Sequence, residues 1–162
     1  MEVIPADRLE LLGEMEVRYE KKDKEYFVQL LDHTDFVIRC RAVCILVDMG
    51  GEDVVPYVAK VLKNDPNELV RHEAAFSLGQ MCLRSGIKPL EDATRNDHSL
   101  FVRHEATVAL GVIGSQDAKE TLQKALQDSN EQVRDSAVVA LSNLKFMEKL
   151  SKNEKFARLT GG

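Results

Sequence analysis

The stretch Leu69-Val70-Arg71-His72-Glu73-Ala74-Ala75-Phe76-Ser77-Leu78-Gly79 returns 32 residues later as Phe101-Val102-Arg103-His104-Glu105-Ala106-Thr107-Val108-Ala109-Leu110-Gly111. The same frame stands upstream at Ile38-Arg39-Cys40-Arg41-Ala42 and downstream at Val133-Arg134-Asp135-Ser136-Ala137. The first residues of the four segments are 32, 32 and 31 positions apart, and a leucine follows eight places after each: Leu46, Leu78, Leu110 and Leu141. Apolar residues at i, i+4 and i+8 form one stripe, so each segment opens an amphipathic helix. Between stripes, second helical patterns cover about Val54 to Leu62, Ile87 to Ala93 and Ala118 to Leu126. Each leads into a polar turn, Asn64-Asp65-Pro66-Asn67, Asn96-Asp97-His98-Ser99 or Asp128-Ser129-Asn130, made of residues that cap helices and bend the chain.

A period near 32 residues built from two helices and a turn predicts an all-α protein, an α-solenoid of about five helical hairpins wound as a right-handed superhelix. Strand-like alternation is absent from the sequence. The expected organisation is one domain over residues 1–162, with a degenerate N-terminal cap hairpin at 6–33. Repeats follow at 35–66, 67–98, 99–129 and 130–150, with a flexible C-terminal tail at 151–162. The short period resembles HEAT-type hairpins more than ankyrin or tetratricopeptide units, whose signature residues are missing.

At 162 residues and 44% hydrophobic, the chain can hide roughly 70% of its unfolded surface without a staple. Its longest apolar run, Ala42 to Val47, is far short of the roughly 18 to 20 residues of a membrane span, so no membrane partner is expected. The start, Met1-Glu2-Val3-Ile4-Pro5-Ala6-Asp7, lacks the basic and apolar regions of a secretory signal, and a cytoplasmic location is expected. Three cysteines, Cys40, Cys44 and Cys82, include no Cys-x-x-Cys pair and are expected to be reduced core thiols. Net charge is −5 and no Lys/Arg block exceeds two residues, which excludes nucleic acid as partner and favours a cationic one.

The chemistry lies where the repeats differ. The two positions after each stripe arginine read Cys40-Arg41, His72-Glu73, His104-Glu105 and Asp135-Ser136, so only the two central, adjacent repeats carry His-Glu. A residue two places past the first stripe position lies about 200° round the helix, and one three places past lies about 300° round, both away from the repeat's own core. On the same outward face follow Phe76 and Val108, then Gly79 and Gly111. Helix-interior glycines in register mean that a ligand or a second helix approaches closely. Equivalent positions on stacked helices sit about 8 to 10 Å apart, so two imidazoles and a carboxylate can converge on one ion. Two His and one carboxylate suit ferrous iron with open positions, and zinc in a His₂Glu site is the competing chemistry. The zinc-protease motif His-Glu-x-x-His is absent, because Phe76 stands where its second His would be. The alternative is that tandem duplication copied a surface dipeptide. Arg71 and Arg103, present in all four repeats, are expected to make hydrogen bonds between repeats, and His33 and His98 to be solvated turn residues.

The two His-Glu stretches, Leu69 to Met81 and Val102 to Gly111, resemble the paired repeats of the deoxyhypusine hydroxylases, and Arg41-Ala42 with Gly50-Gly51 resembles that family's non-ligand repeat. The resemblance spans about Phe36 to Leu144. It covers one half of a HEAT-repeat di-iron monooxygenase whose two similar halves each contribute two His-Glu motifs. It implies His72, His104 and Glu105 as iron ligands, and Glu73 as the residue meeting a cationic substrate. The family's irons lie between facing halves, so the resemblance further implies a homodimer holding two irons and hydroxylating an amine-bearing side chain, deoxyhypusine in a translation factor being the model. The segment Ser99-Leu100-Phe101-Val102-Arg103 departs from the family's Asn-Pro-Met-Val-Arg-type segment, and the second half is missing. The Val-Arg-x-x-Ala-x-x-x-Leu frame is shared with phycobilin lyases and plain repeat scaffolds, so a non-catalytic interaction scaffold is the alternative, with a zinc hydrolase or lyase as a third.

Overall fold

Three of the four repeats start on a polar side chain that caps the helix, while Ser99 before Leu100–Ile113 makes no such bond. Asp35, Asn67 and Asn130 accept hydrogen bonds from the amides of Val37, Leu69 and Gln132 at 3.0, 2.8 and 2.9 Å. These bonds satisfy donors that every helix start leaves unpaired. The computed structural model describes residues 6–149 of the chain, and among them all regular structure is helical. The helices are α1 (Ala6–Glu20), α2 (Lys24–Leu30), α3 (Phe36–Met49), α4 (Val55–Asn64), α5 (Glu68–Met81), α6 (Ile87–Asn96), α7 (Leu100–Ile113), α8 (Lys119–Ala125) and α9 (Glu131–Lys149). Single 3₁₀ turns at Arg84–Gly86 and Gln116–Ala118 lead into α6 and α8. None of the described helices is long and apolar enough to cross a membrane.

The first helices, α3, α5, α7 and α9, stack on one another with α1 ahead of them, while α4, α6 and α8 form a second layer behind. Ile38, Val70, Val102 and Val133, the opening residues of the stripes, are fully buried, as are Leu46, Leu78 and Leu110. Burial of each such side chain stabilises the fold by about 1.5–3 kcal/mol. The helical solenoid read from the period is therefore the observed architecture. Two details differ. On α9 the buried stripe runs Val133, Ala137, Ala140 and Leu144, and Leu141 is only partly buried. The unit expected at 130–150 is, over the described residues, one long helix rather than a hairpin. Its continuation past Leu141 is held by Asn143, which donates to the Gly111 carbonyl at 2.7 Å, and by Gln116, which donates to the Leu144 carbonyl at 3.1 Å. The tail expected at 151–162 lies outside the described residues.

The repeated arginines act as staples between turns. Arg39 grips Asp65 through two N–H···O bonds of 2.6 and 2.9 Å, Arg71 grips Asp97 at 2.7 and 3.0 Å, and Arg103 grips Asp128 at 2.8 and 3.0 Å. The remaining guanidinium nitrogen donates backwards, from Arg71 to the Asp65 carbonyl and from Arg103 to the Asp97 carbonyl. Each arginine thus ties its preceding turn to its following one, with the bidentate geometry that a lysine cannot copy. Burial alone would raise the Asp97 and Asp128 carboxyls, but the arginines and the Ser99 and Asn130 amides hold both below the ordinary value of 3.8. Arg8, bonded to Asp35, lowers that carboxyl likewise. Depressed folded-state values mean that stability is fully present above the unfolded-state value and is lost as pH falls through the folded-state ones. The urea midpoint is expected to hold steady down to about pH 5 and to decline from about pH 4 downward.

At Gly79 helix α5 runs close against α7. A β-carbon at this position would stand 2.7 Å from the Ala109 β-carbon and 3.0 Å from its α-carbon on α7. The close approach inferred at Gly79 is therefore made by the next helix of the same chain. Gly79→Ala is expected to cost roughly 1–3 kcal/mol in thermal or urea unfolding, because the added methyl meets backbone and cannot be accommodated by a side-chain rotation.

Candidate metal centre

Stacking of α5, α7 and α9 sets the second variable position of α7 and of α9 against the histidine of the helix before it, whereas on α3 the contact falls one turn later, at Cys44. The second of the pair on one helix meets the outward side of the helix before it. His72 Nε2 of α5 lies 3.4 Å from Glu105 Oε2 of α7, so each histidine's partner comes from the next repeat rather than from its own His-Glu dipeptide. One step along, His104 Nδ1 lies 2.7 Å from Ser136 Oγ of α9. One step back, Cys44 Sγ of α3 donates to Glu73 Oε1 of α5 at 3.0 Å. His72 and Glu105 thus meet on this face, His104 pairs with Ser136 one repeat along, and Glu73 turns toward α3.

The electrostatics of this face centre on Glu105. Its side chain is only 13% exposed, and among the described residues no lysine or arginine pairs with it. Burial raises its carboxyl above the ordinary value, Glu73 adds to the rise, and His72 and His104 oppose it. A desolvated carboxylate with an imidazole 3.4 Å away, and no lysine or arginine paired with it among the described residues, is donor chemistry that a divalent cation satisfies. Among the described residues of one chain, however, no group of three or more His, Cys, Asp or Glu side chains is close enough to hold an ion.

The cysteines differ from expectation. All three are free, but Cys44 is exposed on the site face and Cys40 and Cys82 are partly buried, so none sits in the core. The reason is register: Cys40 and Cys44 occupy the positions of His72 and Phe76, which point outward. Loss of water around the sulfur, then the Glu73 hydrogen bond, pushes the Cys44 thiol up to about 12, and desolvation followed by the Glu73 charge pushes Cys40 up to about 11. Neither is a ready thiolate nucleophile. Cys44, Asp48, Glu73, Phe76 and Gln80 line a groove between α3 and α5, which puts two carboxylates in one shallow depression.

Ser136 is the site residue that the sequence did not reveal, since Asp135-Ser136 reads as a repeat without His-Glu. The signal was the register itself, which puts Ser136 where Glu105 stands one repeat earlier. His33 and His98 lie off this face. His98 is exposed beside Arg71, but His33 is half-buried, with Nδ1 accepting from the Asp35 amide at 3.0 Å. Leu69, Phe76 and Phe101, by contrast, are exposed on the same side as the histidines.

An all-helical solenoid of stapled hairpins, with a ladder of imidazoles and carboxylates along one face, is a helical-repeat protein. The chain belongs to the HEAT-repeat family: the family model described as HEAT repeats matches residues 24–111 and 101–159. Its similarities point further. It is 38% identical over 112 residues to the deoxyhypusine hydroxylase of Cryptococcus neoformans var. neoformans serotype D, covering 67% of this chain and 30% of that protein. It is 44% identical over 108 residues to the deoxyhypusine hydroxylase of Dictyostelium discoideum, covering 66% and 34%. In structure it is similar to human deoxyhypusine hydroxylase, solved in complex with glycerol, with a TM-score of 0.72 and 29% identity over 85% of this chain and 48% of that one. The chain spans about a third of the length of these curated relatives and about half of the solved chain.

Proposed function

We propose that this chain is an iron-dependent monooxygenase of the deoxyhypusine hydroxylase type, with two irons held between the two copies of a homodimer. The observation that carries the reading is the placement of His72 Nε2 against Glu105 Oε2, with His104 on the adjacent repeat of the same face. His72, His104 and Glu105 would hold the metal. Bound iron would supply the redox chemistry by which dioxygen, with two electrons from an external reductant and two protons, gives one oxygen atom to a C–H bond and the other to water. One chain offers an incomplete donor set, and the exposed Leu69, Phe76 and Phe101 give a second copy an apolar rim to cover. An isologous interface sets the same patch against itself, so it would double the donors and exclude water in one step.

Glu73 and Asp48, in the groove between α3 and α5, would bind the ammonium of an amine-bearing side chain on a protein such as a translation factor. The net charge of −5 draws a cationic partner toward the cytoplasmic enzyme. Metal analysis with light scattering tests the reading. The expected result is a dimer with two irons that loses metal in His72→Ala and His104→Ala. A protein free of iron and zinc, or variants with unchanged metal, would remove it, and a metal-free monomer would favour a scaffold. Zinc without oxygen consumption would favour a hydrolase.

A further inference from the structure

The two imidazoles of this face occupy the same place in their repeats but are not held in the same way. His72 presents Nε2 to a carboxylate, whereas His104 presents Nδ1 to the Ser136 hydroxyl at 2.7 Å. That hydroxyl has a second contact, 2.8 Å from the Gln132 carbonyl oxygen one turn back in α9. A carbonyl oxygen can only accept, and a serine hydroxyl carries one proton. The proton therefore goes to Gln132, and Ser136 Oγ faces His104 as an acceptor. For His104 Nδ1 to make the bond it must carry the ring proton, which leaves the lone pair of a neutral imidazole on Nε2.

We infer that Ser136 is a positioning residue: it holds His104 in the Nδ1–H tautomer and so presents a bare Nε2 for ligation. A metal-ligating histidine commonly donates its other ring N–H to a fixed acceptor, which sets ring orientation and ligand basicity. Ser136 is 7% exposed on the helix that closes the described array, so its acceptor is shielded from competing water. The repeat register supplies this device. The position that gives His72 an anionic neighbour gives His104 a neutral one, and the two rings are thereby sorted into different roles. The assignment of the tautomer stands on hydrogen-bond geometry alone; its purpose rests on the metal reading above.

The test uses the full chain in its metal-free form, ¹⁵N-labelled at histidine and held at a pH above the ordinary imidazole range. Long-range proton–nitrogen correlation is expected to show His104 protonated at Nδ1 and bare at Nε2. Ser136→Ala is expected to lose that dominance while Ser136→Thr, which keeps a hydroxyl, retains it, with His72 unchanged as the internal control. Ferrous or zinc ion is expected to bind Ser136→Ala about 10–100-fold more weakly than wild type. Wild-type His104 protonated at Nε2, or tautomer populations unmoved by Ser136→Ala, would overturn the assignment, and equal metal affinities would overturn its ligating purpose. A tautomer change with no metal uptake by either protein upholds Ser136 and overturns the metal reading instead. Thermal melts of both variants separate these results from loss of fold.

Discussion

Replacing Arg71 by alanine is expected to lower the stability of this protein by about 3–5 kcal/mol, the cost of breaking a buried ion pair by removing one partner. The Arg71 side chain is 3% exposed and its carboxylate partner Asp97 is 8% exposed, so the loss cannot be made good by water. Truncation would leave Asp97 charged and unpaired in the interior and the Asp65 carbonyl without its donor, two penalties on two successive turns. Arg71→Lys would recover little, since one ammonium cannot span both carboxylate oxygens and the preceding turn. The internal comparison is Arg134, the corresponding residue of α9. Among the described residues it donates to the carbonyls of Asp128 and Ser129 and pairs with no carboxylate. Its alanine variant is expected to cost only about 0.5–1.5 kcal/mol, the net worth of a typical hydrogen bond. Urea melts of the two variants decide the matter. Equal costs would mean that the arginines act as packing stems rather than as clamps between repeats.

The same contrast shows which features were legible in the sequence. Period and stripe named the buried residues of α3, α5 and α7, because in a solenoid each helix meets the same neighbours at the same register. The rule weakened at the end of the array. There α9 has no second helix behind it over the described residues, its buried stripe drifts from Leu141 to Leu144, and the residue pattern before that point carries no mark of the change. The candidate site was legible as residue types and as a face, but not as pairs. Helical angles place His72 and Glu73 outward without saying that the neighbouring helix offers Glu105 to the first and α3 offers Cys44 to the second. That information resides in the offset between stacked helices, which Gly79 against Ala109 sets by allowing a close approach. Ser136 was invisible for the same reason: its role exists only once the offset is known.

Glu105→Gln is expected to separate what this face does for binding from what it does for folding. Glutamine keeps the shape of the side chain and its reach to His72, but removes the anionic donor, so metal affinity should fall by at least about 100-fold, more than for loss of a residue that merely orients a ligand. Folding should respond in the opposite sense. Burial works against the Glu105 charge, the neighbouring Glu73 adds to that cost, and only two imidazoles offset it. With no lysine or arginine beside it among the described residues, the ionised carboxylate is a group that the metal-free fold tolerates rather than uses. The metal-free variant should therefore melt at or above the wild-type temperature at neutral pH, as expected where a site holds charge for function at the expense of stability. Adding metal at about 100 times its Kd should then reverse the order, raising wild-type stability by about 2.7 kcal/mol and leaving the variant where it was. A metal-free variant that melts well below wild type, with metal uptake intact, would make Glu105 a structural partner of His72. The half-site would then have to be sought elsewhere on this face.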